Sequence, residues 1–181
     1  MEKLIYTWKE QVEDTLEICN RIEKDNFTPD VIVGISRGGL IPGVMMSHKL
    51  GIPFKPVHAS TRDFPHWENY LPKAQDSKVL IVDDICDTAG TLIKSAELLL
   101  EKGAREVHAY ITHGVLSGEA IGRISKSNLS SMVITDTIEP TEFVAQCPKI
   151  RIITAAPLLA HAMLNISNES SVSSLFSEES L

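Results

Sequence analysis

The residues best suited to chemistry lie in one short stretch, where two adjacent carboxylates, Asp83 and Asp84, follow an apolar run. The run, residues 79–82, reads VLIV and predicts a strand buried on both faces of a parallel sheet. A turn of small and hydroxyl-bearing residues follows at 87–91, before an amphipathic run from Leu92. Such a turn at a helix N-terminus presents backbone N–H groups and a positive dipole end to an anion. Acids beside this turn indicate a sugar phosphate, with its hydroxyls on the acids and its phosphate on the turn.

A second candidate anion-binding turn follows an earlier apolar run. Residues 31–36, VIVGIS, predict another buried strand, and a helix is expected from Leu40. The two glycines between them are also compatible with a plain tight turn. The adjacent arginine favours an anion site, because a guanidinium binds phosphate oxygens through two parallel hydrogen bonds. We therefore predict that an anion binds at Ser36, Arg37, Gly38 and Gly39.

The remaining apolar patterns predict the elements that must position these turns. Strands are expected at 52–58, 107–112, 132–135 and 150–154, and helices at 7–26, 91–102, 118–126 and 156–165. Because strands alternate with helices, we predict an α/β fold with a doubly wound, mainly parallel sheet. We expect one domain, residues 1–167, and a mobile tail rich in Ser and Glu, residues 168–181.

Composition and charge exclude several classes of function. The chain has 181 residues and a formal net charge of −7, which disfavours general nucleic-acid binding. No apolar run approaches the ~20 residues needed to span a bilayer, so no membrane partner is expected. Charges at Glu2 and Lys3 argue against a signal peptide. Three cysteines without metal-ligand spacing favour reduced thiols in a cytoplasmic protein, and we expect Cys86 to face away from the ligand.

Residues 79–91 resemble the motif with which type I phosphoribosyltransferases bind 5-phosphoribosyl diphosphate (PRPP), a hydrophobic strand followed by two acids and a D-T-x-G-T loop. PRPP synthetases and some regulators share this motif. The resemblance implies that Asp83 and Asp84 bind the ribose hydroxyls and a Mg²⁺ ion. It also implies that Asp87 is catalytic and handles a proton of the nucleobase, although Asp87 could instead cap the following helix. The residues that the resemblance assigns to the 5′-phosphate are Asp87, Thr88, Ala89, Gly90 and Thr91.

Two further segments resemble parts of the transferases. Residues 36–43, SRGGLIPG, are similar to the pyrophosphate loop of xanthine-guanine phosphoribosyltransferases. The polar connection at 60–77 has the position of the flexible loop that closes over PRPP, which places Arg62 and Lys73 in a lid, with a plain surface loop as the alternative. For the base, His113 is a candidate donor to an exocyclic oxygen and Ile138 a candidate for apolar stacking.

From residue 79 to residue 176 the chain also resembles the C-terminal half of ribose-phosphate diphosphokinase, the PRPP synthetase. The similar runs lie at 79–91, 103–124, 135–138, 147–151 and 168–176. That enzyme uses a homologous N-terminal domain to hold ATP, and no segment of that size precedes residue 79 here. We therefore do not expect a stand-alone synthetase.

The leading functional hypothesis is a Mg²⁺-dependent phosphoribosyltransferase. It would transfer the phosphoribosyl group of PRPP to a nucleobase, a 6-oxopurine by the resemblance at 36–43, with release of pyrophosphate in nucleotide salvage. The alternatives are a non-catalytic PRPP-binding regulator and a diphosphokinase-like subunit that lacks the ATP-binding half. The resemblance further implies a homodimer or higher homo-oligomer.

Overall fold

The computed structural model describes residues 27–36, 38–58 and 74–168, together with residues 15, 16, 18–20 and 22–24, which are helical. Most of the helix predicted at 7–26 therefore lies outside the described residues. So do Arg37, the predicted lid with Arg62 and Lys73, and the predicted tail beyond residue 168.

In the described part of the chain, six strands form one sheet in which every neighbouring pair is parallel. In chain order they are β1 Val31–Ser36, β2 Phe54–His58, β3 Lys78–Cys86, β4 Glu106–Gly114, β5 Ser131–Thr135 and β6 Ile150–Ile153. Their order across the sheet is β2-β1-β3-β4-β5-β6. The predicted α/β class and parallel sheet are confirmed.

Five helices connect or follow the strands in the described residues. They are α1 Leu40–Leu50, α2 Gly90–Glu101, α3 Ala120–Lys126, α4 Glu142–Ala145 and α5 Ala156–Ser167. The sequence did not predict α4, a single turn whose start is capped where the Thr141 side chain accepts the N–H of Val144. Within the described residues, none of these helices has the length and apolar character to cross a bilayer.

Strand β3 is longer than its apolar run predicts. Its pairing with β4 continues through Ile85 and His113 to Cys86 and Gly114. The acids Asp83 and Asp84 therefore lie within the strand instead of just after it. The continued pairing fixes the backbone around both carboxylates, which a loose turn would not do.

The sheet is buried on both faces, as a doubly wound fold requires. From one face of β3, Val79 and Ile81 pack in a cluster with Leu92 of α2. From the other face, Leu80 packs in a second cluster with Met46 of α1. Helices α1 and α2 therefore cover opposite faces.

The strand order reverses between β1 and β3. From β1 the chain passes to β2 on one side, and from β3 it passes to β4 on the other. In open α/β sheets, ligands bind at the carboxyl ends of the strands at such a switch point. The turns that follow β1 and β3 are the two anion-binding turns that the sequence predicts.

Candidate functional site

A cleft of about 320 Å³ opens at the carboxyl ends of β1 and β3. One wall comes from the end of β1 and its turn, and the other from the end of β3 and the turn at 87–91. The structure therefore brings together most of the residues that the sequence singles out. The lining residues are Ile35, Ser36, Gly38, Asp83, Asp84, Ile85, Cys86, Asp87, Thr88, Ala89, Gly90, Thr91, Leu92 and Ile111.

The two acids are half-buried and electrostatically linked. The backbone N–H of Asp84 donates a hydrogen bond of 3.0 Å to Oδ1 of Asp83. Burial, followed by the negative charge of Asp84, raises the pKa of Asp83 to about 7. A cation between these carboxyl groups would relieve their repulsion.

This donor set fits Mg²⁺, which is commonly bound by one or two carboxylates and completed by substrate phosphates and water. Within the described part of the chain, no group of three or more His, Cys, Asp or Glu side chains could hold a metal by itself. Asp83 and Asp84 would therefore hold the ion jointly with an oxygen-rich ligand.

The turn after β1 packs directly against these acids. A Cβ atom on Gly38 would overlap the carboxylate of Asp84, and one on Gly39 would overlap the carbonyl oxygen of Val82. Glycine at both positions thus permits the close approach. The hydroxyl of Ser36 donates to the Val57 carbonyl at 3.0 Å, so its proton is used within the sheet.

The turn after β3 has the geometry of an anion cradle. Ala89 adopts the left-handed conformation, with φ +60°, immediately before α2 begins at Gly90. No side chain in the described part of the chain caps the N-terminus of α2. Its first N–H groups can therefore bind an anion. A left-handed residue among right-handed ones forms the backbone nest that binds phosphate in other proteins.

Asp87 does not cap α2, which corrects the alternative role considered from the sequence. Its Oδ1 instead accepts a hydrogen bond from the hydroxyl of Ser117, in the segment after β4. The side chain of Arg123 on α3 also reaches the turn, where Nη1 donates to the Thr88 carbonyl at 3.0 Å. No role for Ser117 or Arg123 could be predicted from the sequence, because only the fold brings them to residues 87 and 88.

The two residues predicted to contact the base, His113 and Ile138, are not among the residues that line the cleft. His113, at the end of β4, has its Nδ1 2.9 Å from Oγ1 of Thr137. Ile138 is half-buried beyond the end of β5. Their contacts with a base stay predictions. The apolar residues that do line the cleft include Ile85, whose side chain is 51% exposed.

Cys86 was expected to face away from the ligand, but it is among the residues that line the cleft; it is buried, and this burial raises the pKa of its thiol to about 12. A thiol with this pKa is protonated near neutral pH and is a poor nucleophile. All three cysteines are buried, and none of them is in a disulfide.

Comparison with known proteins identifies the family. The phosphoribosyl synthetase-associated domain matches residues 74–177, more than half of the chain. The ribose-phosphate pyrophosphokinase of Cereibacter sphaeroides is 61% identical over 104 residues, 58% of this chain and 31% of the relative. That of Rhizobium meliloti is 49% identical over 166 residues, 89% of this chain and 53% of the relative. This chain thus spans about a third to a half of the length of these relatives.

Solved structures show the same fold. Phosphoribosylpyrophosphate synthetase from Mycobacterium smegmatis matches with a TM-score of 0.69 at 24% identity, covering 88% of this chain and 51% of that one. Purine phosphoribosyltransferase from Pyrococcus horikoshii matches with a TM-score of 0.54 at 26% identity, covering 85% and 87%. The resemblances to type I phosphoribosyltransferases and to PRPP synthetase are confirmed. The chain belongs to the phosphoribosyl synthetase-associated domain family.

Proposed function

We propose that this chain binds PRPP together with Mg²⁺ in the cleft between β1 and β3, and acts on the diphosphate carried by ribose C1. The observation that carries the proposal is the juxtaposition of a half-buried acid pair with an uncapped phosphate cradle at the switch point of the sheet. A sugar bearing phosphate at one end and diphosphate at the other matches both features.

The ligand would lie along the carboxyl ends of the two strands. Its 5′-phosphate would bind at 87–91, and its ribose hydroxyls at Asp83 and Asp84. The diphosphate would extend towards Gly38, because that residue contacts the far acid of the pair. When bound, Mg²⁺ would neutralise the diphosphate and tie it to the ribose oxygens.

The relatives favour pyrophosphokinase chemistry, in which a diphosphate group is placed on ribose 5-phosphate. Two curated pyrophosphokinases match this chain at 61% and 49% identity. On this account the chain supplies the ribose-phosphate side of the site, and the ATP side comes from another domain or subunit.

Nucleobase transfer is the second candidate, in which a base displaces pyrophosphate from C1 of PRPP. The contact between Gly38 and Asp84 favours it, since this contact holds the transferase-like SRGG turn beside the acids. A 6-oxopurine acceptor rests on the resemblance at 36–43 alone.

One set of measurements separates these possibilities. Calorimetric titration with PRPP, with and without Mg²⁺, tests the binding itself, and absence of Mg²⁺-dependent binding would overturn the proposal. The same protein is then assayed in two ways: for pyrophosphate release from PRPP with hypoxanthine, guanine, xanthine, adenine, uracil or orotate, and for AMP formation from ATP with ribose 5-phosphate. Base-dependent release identifies a transferase, whereas AMP formation identifies a pyrophosphokinase. Tight binding without either reaction identifies a regulator or an incomplete synthetase.

A further inference from the structure

We infer that Ser117 and Arg123 are positioning residues that set the shape of the phosphate-binding turn at 87–91. Neither side chain lines the cleft. The inference rests on the proposed binding of a ribose 5-phosphate group at this turn, and the experiment below separates the two.

The segment after β4 runs along the back of the turn and hydrogen-bonds to it at consecutive residues. The N–H of Leu116 donates to the Cys86 carbonyl, and the N–H of Ser117 donates to the Asp87 carbonyl, each at 3.1 Å. The hydroxyl of Ser117 also donates to the carboxylate of Asp87. Residue 117 therefore fixes both the backbone and the side chain of Asp87.

The segment itself is anchored in the core. The side chain of Leu116 is only 6% exposed and packs in the cluster beneath α2 and α3. Its backbone has a φ of +50°, a conformation that a non-glycine residue adopts only when its surroundings impose it. An anchored segment can transmit the rigidity of the core to the turn it contacts.

Arg123 continues the same set of contacts one residue further along the turn. Its Nη1 donates to the Thr88 carbonyl at 3.0 Å. A Cβ atom placed on Gly90 would lie 3.9 Å from this Nη1, so the guanidinium lies behind the start of α2. The carbonyls of three consecutive residues, 86, 87 and 88, are thus all bound from one side.

Binding the carbonyls also orients the N–H groups. A trans peptide is planar, so the N–H of each residue points opposite to the carbonyl of the residue before it. Fixing the carbonyls of Asp87 and Thr88 therefore directs the N–H of Thr88 away from Ser117 and the N–H of Ala89 away from Arg123. The Ala89 N–H is directed at the Cys86 thiol, a weak acceptor, so the Thr88 N–H and the first N–H groups of α2 are those that the turn offers to a phosphate.

The need for these contacts comes from Ala89. At φ +60° it occupies the left-handed region, which disfavours a residue with a Cβ atom. The hydrogen bonds at 87 and 88 hold the chain in this conformation without a glycine. Without them, the turn is expected to relax to a shape with fewer N–H groups directed at the phosphate.

The experiment compares Ser117→Ala and Arg123→Gln with the unaltered protein by calorimetric titration. Ribose 5-phosphate probes the turn, and inorganic pyrophosphate with Mg²⁺ probes the other end of the cleft. We expect each variant to bind ribose 5-phosphate about tenfold more weakly, the effect of losing one hydrogen bond that supports the site. Pyrophosphate affinity and the thermal midpoint of the ligand-free protein should change little.

Two further variants act as controls. Ser117→Thr keeps both the side-chain hydroxyl and the backbone N–H, and it adds a methyl group at an exposed position. This variant should bind ribose 5-phosphate as the unaltered protein does. Lys126→Gln removes a positive charge from the same exposed face of α3, and Lys126 makes no hydrogen bond to the turn among the described residues. It should bind as the unaltered protein does.

The inference is overturned if the unaltered protein binds ribose 5-phosphate and both Ser117→Ala and Arg123→Gln bind it equally well. It is also overturned if both ligands lose affinity in parallel with a fall in the thermal midpoint, since that marks a general loss of stability. If the unaltered protein binds neither ribose 5-phosphate nor PRPP, the proposed function itself fails.

Discussion

The α-carbon of Gly38 lies against the carboxylate of Asp84, so closely that a Cβ atom on Gly38 would overlap both carboxylate oxygens. Gly38 lies in the turn after β1 and Asp84 lies in β3, and these two strands are neighbours that pair in parallel. Because Asp84 lies within β3, its backbone cannot withdraw without disturbing the pairing with β4. The position of one acid of the pair therefore depends on a residue 46 positions earlier having no side chain.

Substitution of Gly38 by Ala tests this contact. The added methyl group should displace the Asp84 carboxylate or open the turn after β1. We expect the free energy of unfolding to fall by about 1–3 kcal/mol, which is typical of overpacking. The free energy of PRPP binding should weaken by a larger fraction than the free energy of unfolding. Chemical denaturation and calorimetric titration measure the two effects. Gly122→Ala, on α3, is the matched control: an added Cβ there would lie 3.4 Å from Oε2 of Glu119, so this variant should be at least as stable as the unaltered protein. Unchanged PRPP affinity in Gly38→Ala would remove the turn after β1 from the site.

Asp84→Asn tests whether the acid pair binds a cation. Loss of one carboxylate should weaken PRPP binding in Mg²⁺ by about tenfold or more, because a charge-assisted contact is lost. In EDTA the variant and the unaltered protein should differ much less. The control is Glu101→Gln, which removes a negative charge from the exposed end of α2. An equal loss in Mg²⁺ and in EDTA would show that Asp84 contacts the ligand without a metal.

Asp87→Asn separates charge from shape at the phosphate-binding turn. An asparagine oxygen can still accept the hydroxyl of Ser117, so the turn and PRPP affinity should be retained. The general-base function would be lost, which predicts a fall of about 10²- to 10⁴-fold in kcat for base-dependent pyrophosphate release. Steady-state kinetics and PRPP titration on the same preparation check both parts. If kcat is unchanged, Asp87 has only a structural role.

The dependence of stability on pH should contain a contribution from Asp136. Its carboxylate Oδ1 accepts the N–H of Ala155 at 2.8 Å, which joins the end of β5 to the start of α5. Burial alone would raise the pKa of Asp136, but hydrogen bonds from Thr154 and Ala155 hold this pKa below its usual value of 3.8. The folded state thus binds the proton less readily than the unfolded state. The stabilisation is present above the unfolded pKa and is lost as the pH falls through the folded one.

Asp136→Asn should therefore be less stable than the unaltered protein near neutral pH, and the difference should shrink in acid. Urea denaturation at a series of pH values between about pH 7 and about pH 3 measures it. Glu139→Gln, at an exposed position nearby, should show no such convergence. A difference between Asp136→Asn and the unaltered protein that stays constant with pH would exclude the carboxylate as its cause.

The fold was predictable because its strongest signals are local. Continuous apolar runs mark β1 and β3, and glycine or small residues mark the turns after them. The carboxyl ends of parallel strands meet at one edge of the sheet, so these runs also predicted where Asp83 and Gly38 would lie. The extra length of β3 was not predictable, since it depends on pairing with β4 and not on hydrophobicity.

The parts of the site that the sequence missed depend on contacts between distant segments. In the sequence, Ser117 and Arg123 resemble any other polar surface residues. Only the packing of α3 and of the segment before it brings them to residues 87 and 88. His113 was proposed by resemblance alone, and the structure places it beside Thr137 instead of in the cleft lining. A pattern along one segment cannot reveal which second segment will contact it.

The match to the phosphoribosyl synthetase-associated domain begins at residue 74, after β1 and β2. The wall of the cleft that carries Asp83 and Asp84 therefore lies inside the region that the family model matches, whereas the wall that carries Ser36 and Gly38 lies before it, although the Rhizobium meliloti pyrophosphokinase is similar over 89% of this chain. The two walls cannot vary independently of each other, because a side chain at position 38 on one wall would overlap the Asp84 carboxylate on the other.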